Sequence, residues 1–256
     1  MTVVTVGARA RLQLLASFEA RLDEVVLDLK PSLQRLLAFL ALADATVERP
    51  RTAFQLWPDT PEVRALANLR SALWRLRQQP VDLVETTPTH LRLHPDVWVD
   101  ARHGMAELRT IDPDAVLAQE DAHRSLAGDL LPGWYDEWLV VERERLRQLR
   151  LCSLEAACRR LLAEGRWADA VELGLRTVAL EPLRESAHRL VIEAHLGHGN
   201  TGEAERQLET CRLLLRRELG VEPSAHLSRL LLAVRRAAVD EGADTACRPT
   251  ACRRTA

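Results

Sequence analysis

The sequence predicts a mainly α protein, in which a small N-terminal α+β domain precedes an all-helical domain. Three observations predict it. Apolar residues alternate at Leu12, Leu14, Ala16, Phe18, Ala20 and Leu22, the period of a half-buried strand. Leucines recur at helical spacing from Leu33, and after about residue 100 almost every segment carries the helical period. Two of the later segments also match each other at a shift of 34 residues, the signature of a stacked helical repeat.

The elements follow in order. After the Leu12–Leu22 strand, Asp23-Glu24 interrupts, and Val25, Leu27 and Leu29 alternate again, which makes a hairpin. Pro31-Ser32 opens a helix with Leu33, Leu36, Leu37 and Leu40 on one face. A short helix over Arg51–Leu56 stops at Trp57-Pro58-Asp59, because proline disfavours helical angles in the residue before it. A third helix runs from Pro61 to Gln79, ended by Pro80. Leu83–Glu85, a Thr86–Thr89 turn and Leu91–Leu93 form a second hairpin, with Val97 and Val99 as a final edge strand. Strands, three helices and a hairpin are the order of a winged helix-turn-helix, placed at residues 1–100.

Residues 101–239 read as helices punctuated by Pro132-Gly133, Gly165, Pro182, Gly199, Gly202, Gly220 and Pro223. Leu162, Gly165, Asp169 and Ala170 map onto Leu196, Gly199, Glu203 and Ala204, and the 34-residue shift is the tetratricopeptide length. Ala170, Leu173, Thr177 and Leu180 make one inner face; Ala204, Leu208, Cys211 and Leu215 make its equivalent. Leu227, Leu230, Val234 and Ala238 suggest a last, capping helix, and 240–256 read as a flexible tail.

Composition sets limits on function. At 256 residues, 47% of them hydrophobic and 28% charged, the chain can bury a core and is not disordered throughout. No stretch reaches the roughly 18 apolar residues of a membrane span, and no export signal opens the chain, so a cytoplasmic protein with no membrane partner is expected. The five cysteines (Cys152, Cys158, Cys211, Cys247, Cys252) contain no CxxC and are expected to be reduced thiols. A net charge of −2 gives no global attraction to a polyanion, so any such binding needs a local patch. Lys30 is the lone lysine, so the cationic groups are almost all guanidinium forks suited to phosphate and guanine.

The Pro61–Gln79 helix carries such a patch. Val63, Leu66, Leu69, Leu73 and Leu76 form an apolar stripe for docking on the domain. The other side presents Arg64, Asn68, Ser71, Arg75 and Gln78, flanked by Arg70, Trp74 and Arg77. Its four arginines against Glu62 give the helix a charge of +3, within a domain of 12 basic and 12 acidic residues. A helix fits the major groove, where Arg grips guanine and Asn grips adenine. A solvated amphipathic helix would show the same pattern, and it is the preceding helix and following hairpin that favour a recognition helix. Thr86, Thr87, Thr89 and His90 in the wing have two readings: contacts to phosphate or minor groove, or plain turn chemistry.

Residues Leu131 to Leu151, LPGWYDEWLVVERERLRQLRL, resemble the signature region of the bacterial transcriptional activator domain, which follows a winged helix in the SARP-type antibiotic-pathway regulators. Phe54–Asp59 (FQLWPD), Ala67–Arg77 (ANLRSALWRLR) and Glu218–Ser224 (ELGVEPS) are similar to other parts of that family, so the likeness covers about residues 10–238. The resemblance implies an OmpR-like winged helix of response-regulator type joined to a tetratricopeptide-like domain. It implies promoter DNA as partner, a dimer on direct repeats, and activation by contact with RNA polymerase. By position it places Arg70, Ser71, Arg75 and Arg77 in the recognition helix. Trp74 departs from the small polar residue of many relatives; an indole there has sugar or a partner protomer to pack against. The nucleotide-hydrolysing domain of larger relatives has no counterpart, since no GxxxxGK[ST] occurs.

Trp134, Tyr135 and Trp138 read as a core anchor between helical layers, or alternatively as a partner hot spot. Glu142–Arg145 read as a solvated face. His195 and His198 near Glu193 suggest a metal site or, at a helix end, capping. No catalytic motif, metal set or cofactor site stands out, so neither an enzyme nor a cofactor is expected. The competing function is a tetratricopeptide-type adaptor whose winged helix no longer binds DNA.

Overall fold

The computed structural model describes residues 10–43, 45–118, 128–227 and 229–230. Among them the chain forms two compact units: residues up to Thr110 with those up to Arg150 after the gap, and residues from Ile111 to 118 with those from Leu151 onward. The boundary expected at residue 100 does not coincide with this division. Val234, Ala238, the tail from Asp240 and both tail cysteines lie outside the described residues.

In the first unit, β1 (Ala10–Gln13), β2 (Glu19–Leu22) and β3 (Val25–Val26) form an antiparallel meander, and β7 (Trp98–Val99) adds to β1 in parallel. The single strand expected over Leu12–Leu22 is therefore two. Leu14 and Leu15 are both buried, which one alternating strand does not allow, and Ala16 turns the chain with a φ of 70°. Asp100 holds this corner: its carboxylate accepts from Leu14 N at 2.8 Å and Leu15 N at 3.0 Å.

The helix α1 (Pro31–Leu42) starts on a proline and buries Leu33, Leu36, Leu37 and Leu40. Arg102 closes its far end, donating to Ala41 O (2.6 Å), Leu40 O (3.0 Å) and Ala43 O (2.9 Å). Next come β4 (Val47–Glu48), α2 (Arg49–Leu56), α3 (Glu62–Leu76), β5 (Val84–Thr86) and β6 (His90–Leu93). The wing is a three-stranded sheet, β4-β6-β5, rather than a hairpin alone. α4 (Asp100–Arg109) follows β7 directly, and α5 (Pro113–Leu117) opens the second unit.

The aromatic signature segment belongs to the first unit, as does the first half of α6 (Glu137–Ala163). Trp134 stacks on Phe18 with centroids 5.8 Å apart, and Trp138 meets Phe39 edge-on at 5.4 Å. Arg35 donates through Nε to Asp136 at 2.8 Å. The two tryptophans are half-buried and packed against aromatic neighbours, whereas Tyr135 is 93% exposed. Arg143 is not on a solvated face: it is half-buried and donates to Leu130 O (2.9 Å) and Leu131 O.

The second unit stacks α7 (Trp167–Leu180), α8 (Glu185–Gly197) and α9 (Thr201–Leu219) against one another after the end of α6. Gly165 and Gly199, equivalent at the 34-residue shift, both have positive φ (72° and 80°) and let one helix stop before the next begins. Ala170, Leu173, Thr177, Ala204, Leu208, Cys211 and Leu215 are buried as their period requires, but Leu180 is exposed because α7 ends there. Buried His188 bridges the layers, its Nε2 on Pro182 O (2.9 Å) and its Nδ1 on Gln207 Nε2 (2.8 Å). α7 and α8 approach closely at Gly174, where an added Cβ would lie 2.6 Å from Val191 Cγ2. Gly174→Ala is therefore expected to destabilise this unit by about 1–3 kcal/mol, read as a lower midpoint in urea or thermal unfolding. An unchanged midpoint would mean that the helices slide apart without cost.

Candidate nucleic-acid interface

The turn between α2 and α3 is local chemistry. Trp57 N bonds Ala53 O at 3.0 Å and Thr60 N bonds Trp57 O at 3.1 Å, and Pro58 keeps α2 from continuing. Pro61 O then accepts from Arg64 N and Ala65 N, both at 2.9 Å, to start α3. The helix buries Ala65, Leu69, Ala72, Leu73 and Leu76. Val63, expected in the buried stripe, is 81% exposed, and Leu66 is only half-buried. The two alanines explain the difference, since α3 lies close to its neighbours where side chains are small. The helix also ends at Leu76, with turn bonds carrying the chain through Gln79.

With that face inward, Arg64, Arg70, Ser71, Trp74, Arg75 and Arg77 are exposed and Asn68 is half-buried. Among the described residues Arg64, Arg70 and Arg75 make no ion pair and no side-chain hydrogen bond. Arg77 donates to Thr86 Oγ1 at 2.7 Å, tying the end of α3 to the wing. The arginines of α9 differ: Arg206, Arg212, Arg216 and Arg217 are each held by a glutamate. Guanidiniums without counter-charges thus gather on α3.

At the wing tip Thr87 and Thr89 are exposed and His90 is half-buried. Turn chemistry occupies their polar groups: Thr87 Oγ1 accepts from His90 N at 2.9 Å, and Thr89 Oγ1 hydrogen-bonds His90 Nδ1 at 2.8 Å. Arg49, which the sequence did not single out, braces the tip, its backbone N and its Nε donating to Thr89 O and Thr87 O at 2.9 Å each. Below the tip, the hydrogen bond from Arg92 holds the Glu85 carboxyl below its usual range, so this carboxylate is neutralised within the wing.

The other candidate residues lie apart from α3 in the sequence and do other things. Glu193 pairs with Arg189 at 2.7 Å, His198 caps α8, and burial lowers the pKa of His195. Among the described residues no three His, Cys, Asp or Glu side chains are grouped to hold a metal ion. Burial raises the thiols of Cys158 and Cys211 to about 11, while Cys152 is exposed. No helix among the described residues is long and apolar enough to cross a membrane.

Comparison with known proteins agrees with this architecture. Residues 97–235 match the family described as the bacterial transcriptional activator domain. The chain is 30% identical over 212 residues to the regulatory protein AfsR of Streptomyces coelicolor, a match that covers 78% of this chain and 21% of AfsR. In fold it resembles Mycobacterium tuberculosis EmbR, solved in complex with a low-affinity phosphopeptide, with a TM-score of 0.70 at 21% identity, over 90% of this chain and 65% of that one. The chain therefore spans about a fifth of the length of the curated relative. A winged helix with an aromatic signature segment, followed by stacked helical pairs and matched by that family over more than half of the chain's length, places this chain in the bacterial transcriptional activator domain family.

Proposed function

We propose that this protein is a sequence-specific activator that inserts α3 into the major groove of double-stranded promoter DNA and sets the wing tip, Thr87 to His90, against the backbone. The observation that carries the reading is the group of exposed guanidiniums on α3 with no carboxylate partners among the described residues. Charges left unpaired on one helix, in a chain of net −2, suit a polyanion better than water. We assign DNA contact to residues 1–100 and partner contact to 101–239, with 240–256 as a tail. The protein acts as a homodimer on direct repeats and contacts RNA polymerase.

The competing reading, an adaptor that no longer binds DNA, is favoured by the balanced charge of the first 100 residues. Anisotropy titrations against fragments selected from the source genome separate the two. Saturable binding that Arg70→Ala or Arg75→Ala weakens by about 1–3 kcal/mol on the selected sequence supports the activator. No saturable binding to any fragment leaves the adaptor.

A further inference from the structure

The burial pattern of α3 carries a consequence for which bases it would read. Ala65, Leu69, Ala72, Leu73 and Leu76 face inward. At about 3.6 residues per turn, the line opposite them runs through Val63, Ala67, Ser71 and Trp74. Val63, Ser71 and Trp74 on this line are exposed, Trp74 by 64%. Arg64 and Arg75 fall to one side of it and Arg70 and Arg77 to the other. The crest of the helix is thus small or apolar and its flanks are cationic, the reverse of a wet face with arginines at its centre.

We propose that Val63 and Trp74 are specificity-determining residues that read the 5-methyl groups of thymines in the major groove, while the flanking guanidiniums take phosphates or guanines. This rests on the DNA-binding reading above. Leaving an isopropyl group and an indole in water is unfavourable, and the thymine methyl is the apolar group that a duplex offers in its major groove. The charge around the crest selects the occupant: a protein partner would have to bring carboxylates to Arg64, Arg70 and Arg75, whereas DNA brings phosphates with every base step. Eleven residues separate Val63 from Trp74, about 16 Å along the axis at ~1.5 Å per residue. That spacing corresponds to thymines about five base steps apart at ~3.4 Å each.

The test uses the full chain and a duplex selected for tight binding, with single thymines replaced in turn by deoxyuridine, which lacks only the methyl. Each thymine that is read should cost the wild type about fourfold in affinity, the equivalent of ~0.8 kcal/mol per methyl. Trp74→Ala should weaken binding to the parent duplex and become indifferent to deoxyuridine at one step or at two adjacent steps. Val63→Ala should do so about five steps away. Both side chains are exposed, so neither change threatens the fold. Arg70→Ala should weaken binding yet keep the full deoxyuridine penalty. Wild-type affinity indifferent to every deoxyuridine would overturn the proposal while leaving DNA binding intact, and so would a Trp74→Ala variant that keeps the whole penalty. Loss of self-association in Trp74→Ala with an unchanged deoxyuridine penalty would assign the crest to a second copy instead. No saturable binding by the wild type would remove the DNA-binding reading itself.

Discussion

Promoter binding is expected to fall by roughly 4,000-fold for a tenfold rise in salt, if Arg64, Arg70 and Arg75 of α3 and Arg77 just beyond its end all neutralise phosphates at about 0.9 log units per contact. The magnitude follows from where the charge lies. A chain with 35 basic and 37 acidic residues has no long-range pull on DNA, so the salt dependence must come from the local patch alone. Among the described residues carboxylates do not pair with Arg64, Arg70 or Arg75, in contrast to α9, where glutamates already hold the arginines. Log–log plots of affinity against salt for single Arg→Gln variants then assign each group. Loss of a phosphate contact should reduce the slope by about 0.9 and weaken all sequences alike. Loss of a guanine contact should leave the slope and cost about 1–3 kcal/mol on the cognate sequence only. Arg77 is the first to examine, because its bond to Thr86 already fixes it beside the wing. A slope near zero would show that the patch meets no phosphate.

The large outlines were legible in the sequence, while the direction in which α3 faces was legible only in part. Strong helical spacing placed that helix, and Pro58 and Pro80 marked its surroundings. Leu69, Leu73 and Leu76 are buried as their spacing requires, whereas Val63 and Leu66, counted in the same stripe, are not. The structure instead buries Ala65 and Ala72 and leaves Val63 in water. Small residues carry little hydrophobic signal, yet they are what permits close approach, and Gly174 against Val191 is the same case in the second unit. The break in the first strand was masked because Leu12, Leu14, Ala16 and Phe18 keep the period of two across it, although Leu15 is buried too and the chain turns at Ala16 between β1 and β2. Polar anchors left no local trace at all. Asp100 serves amides 85 and 86 residues away, and Arg102 serves carbonyls 59 to 62 residues away, so no spacing rule could find them. The repeat in the second unit was legible because its glycines sit at a fixed shift and its inner face keeps one period.

Removing Arg184 is expected to cost the second unit about 3–5 kcal/mol at neutral pH. Glu155 is 4% exposed on α6, and its carboxylate accepts from Arg184 Nε at 2.6 Å and Arg159 Nη2 at 3.2 Å, and from the Ser186 hydroxyl. Burial by itself raises the Glu155 pKa, but the hydrogen bonds from Arg184 and Ser186 and the charges of both arginines outweigh it, so the carboxyl titrates below its usual value. Its contribution to stability is then complete above the unfolded pKa of about 4.3 and is lost as pH falls through the lower folded value. Arg184→Ala strands the carboxylate with one half-exposed arginine and a hydroxyl, and its pKa must rise. The damage should therefore be greatest at pH 7 and shrink towards pH 4, where the carboxyl in the variant takes up a proton and no longer needs the guanidinium. Unfolding midpoints of wild type and variant at the two pH values check this. Glu155→Gln in the Arg184→Ala background should recover part of the loss at pH 7, because an amide is cheaper to bury than an unpaired charge. A penalty that is the same at both pH values and unrelieved by the glutamine would mean that Arg184 acts through the packing of its stem, not through its charge.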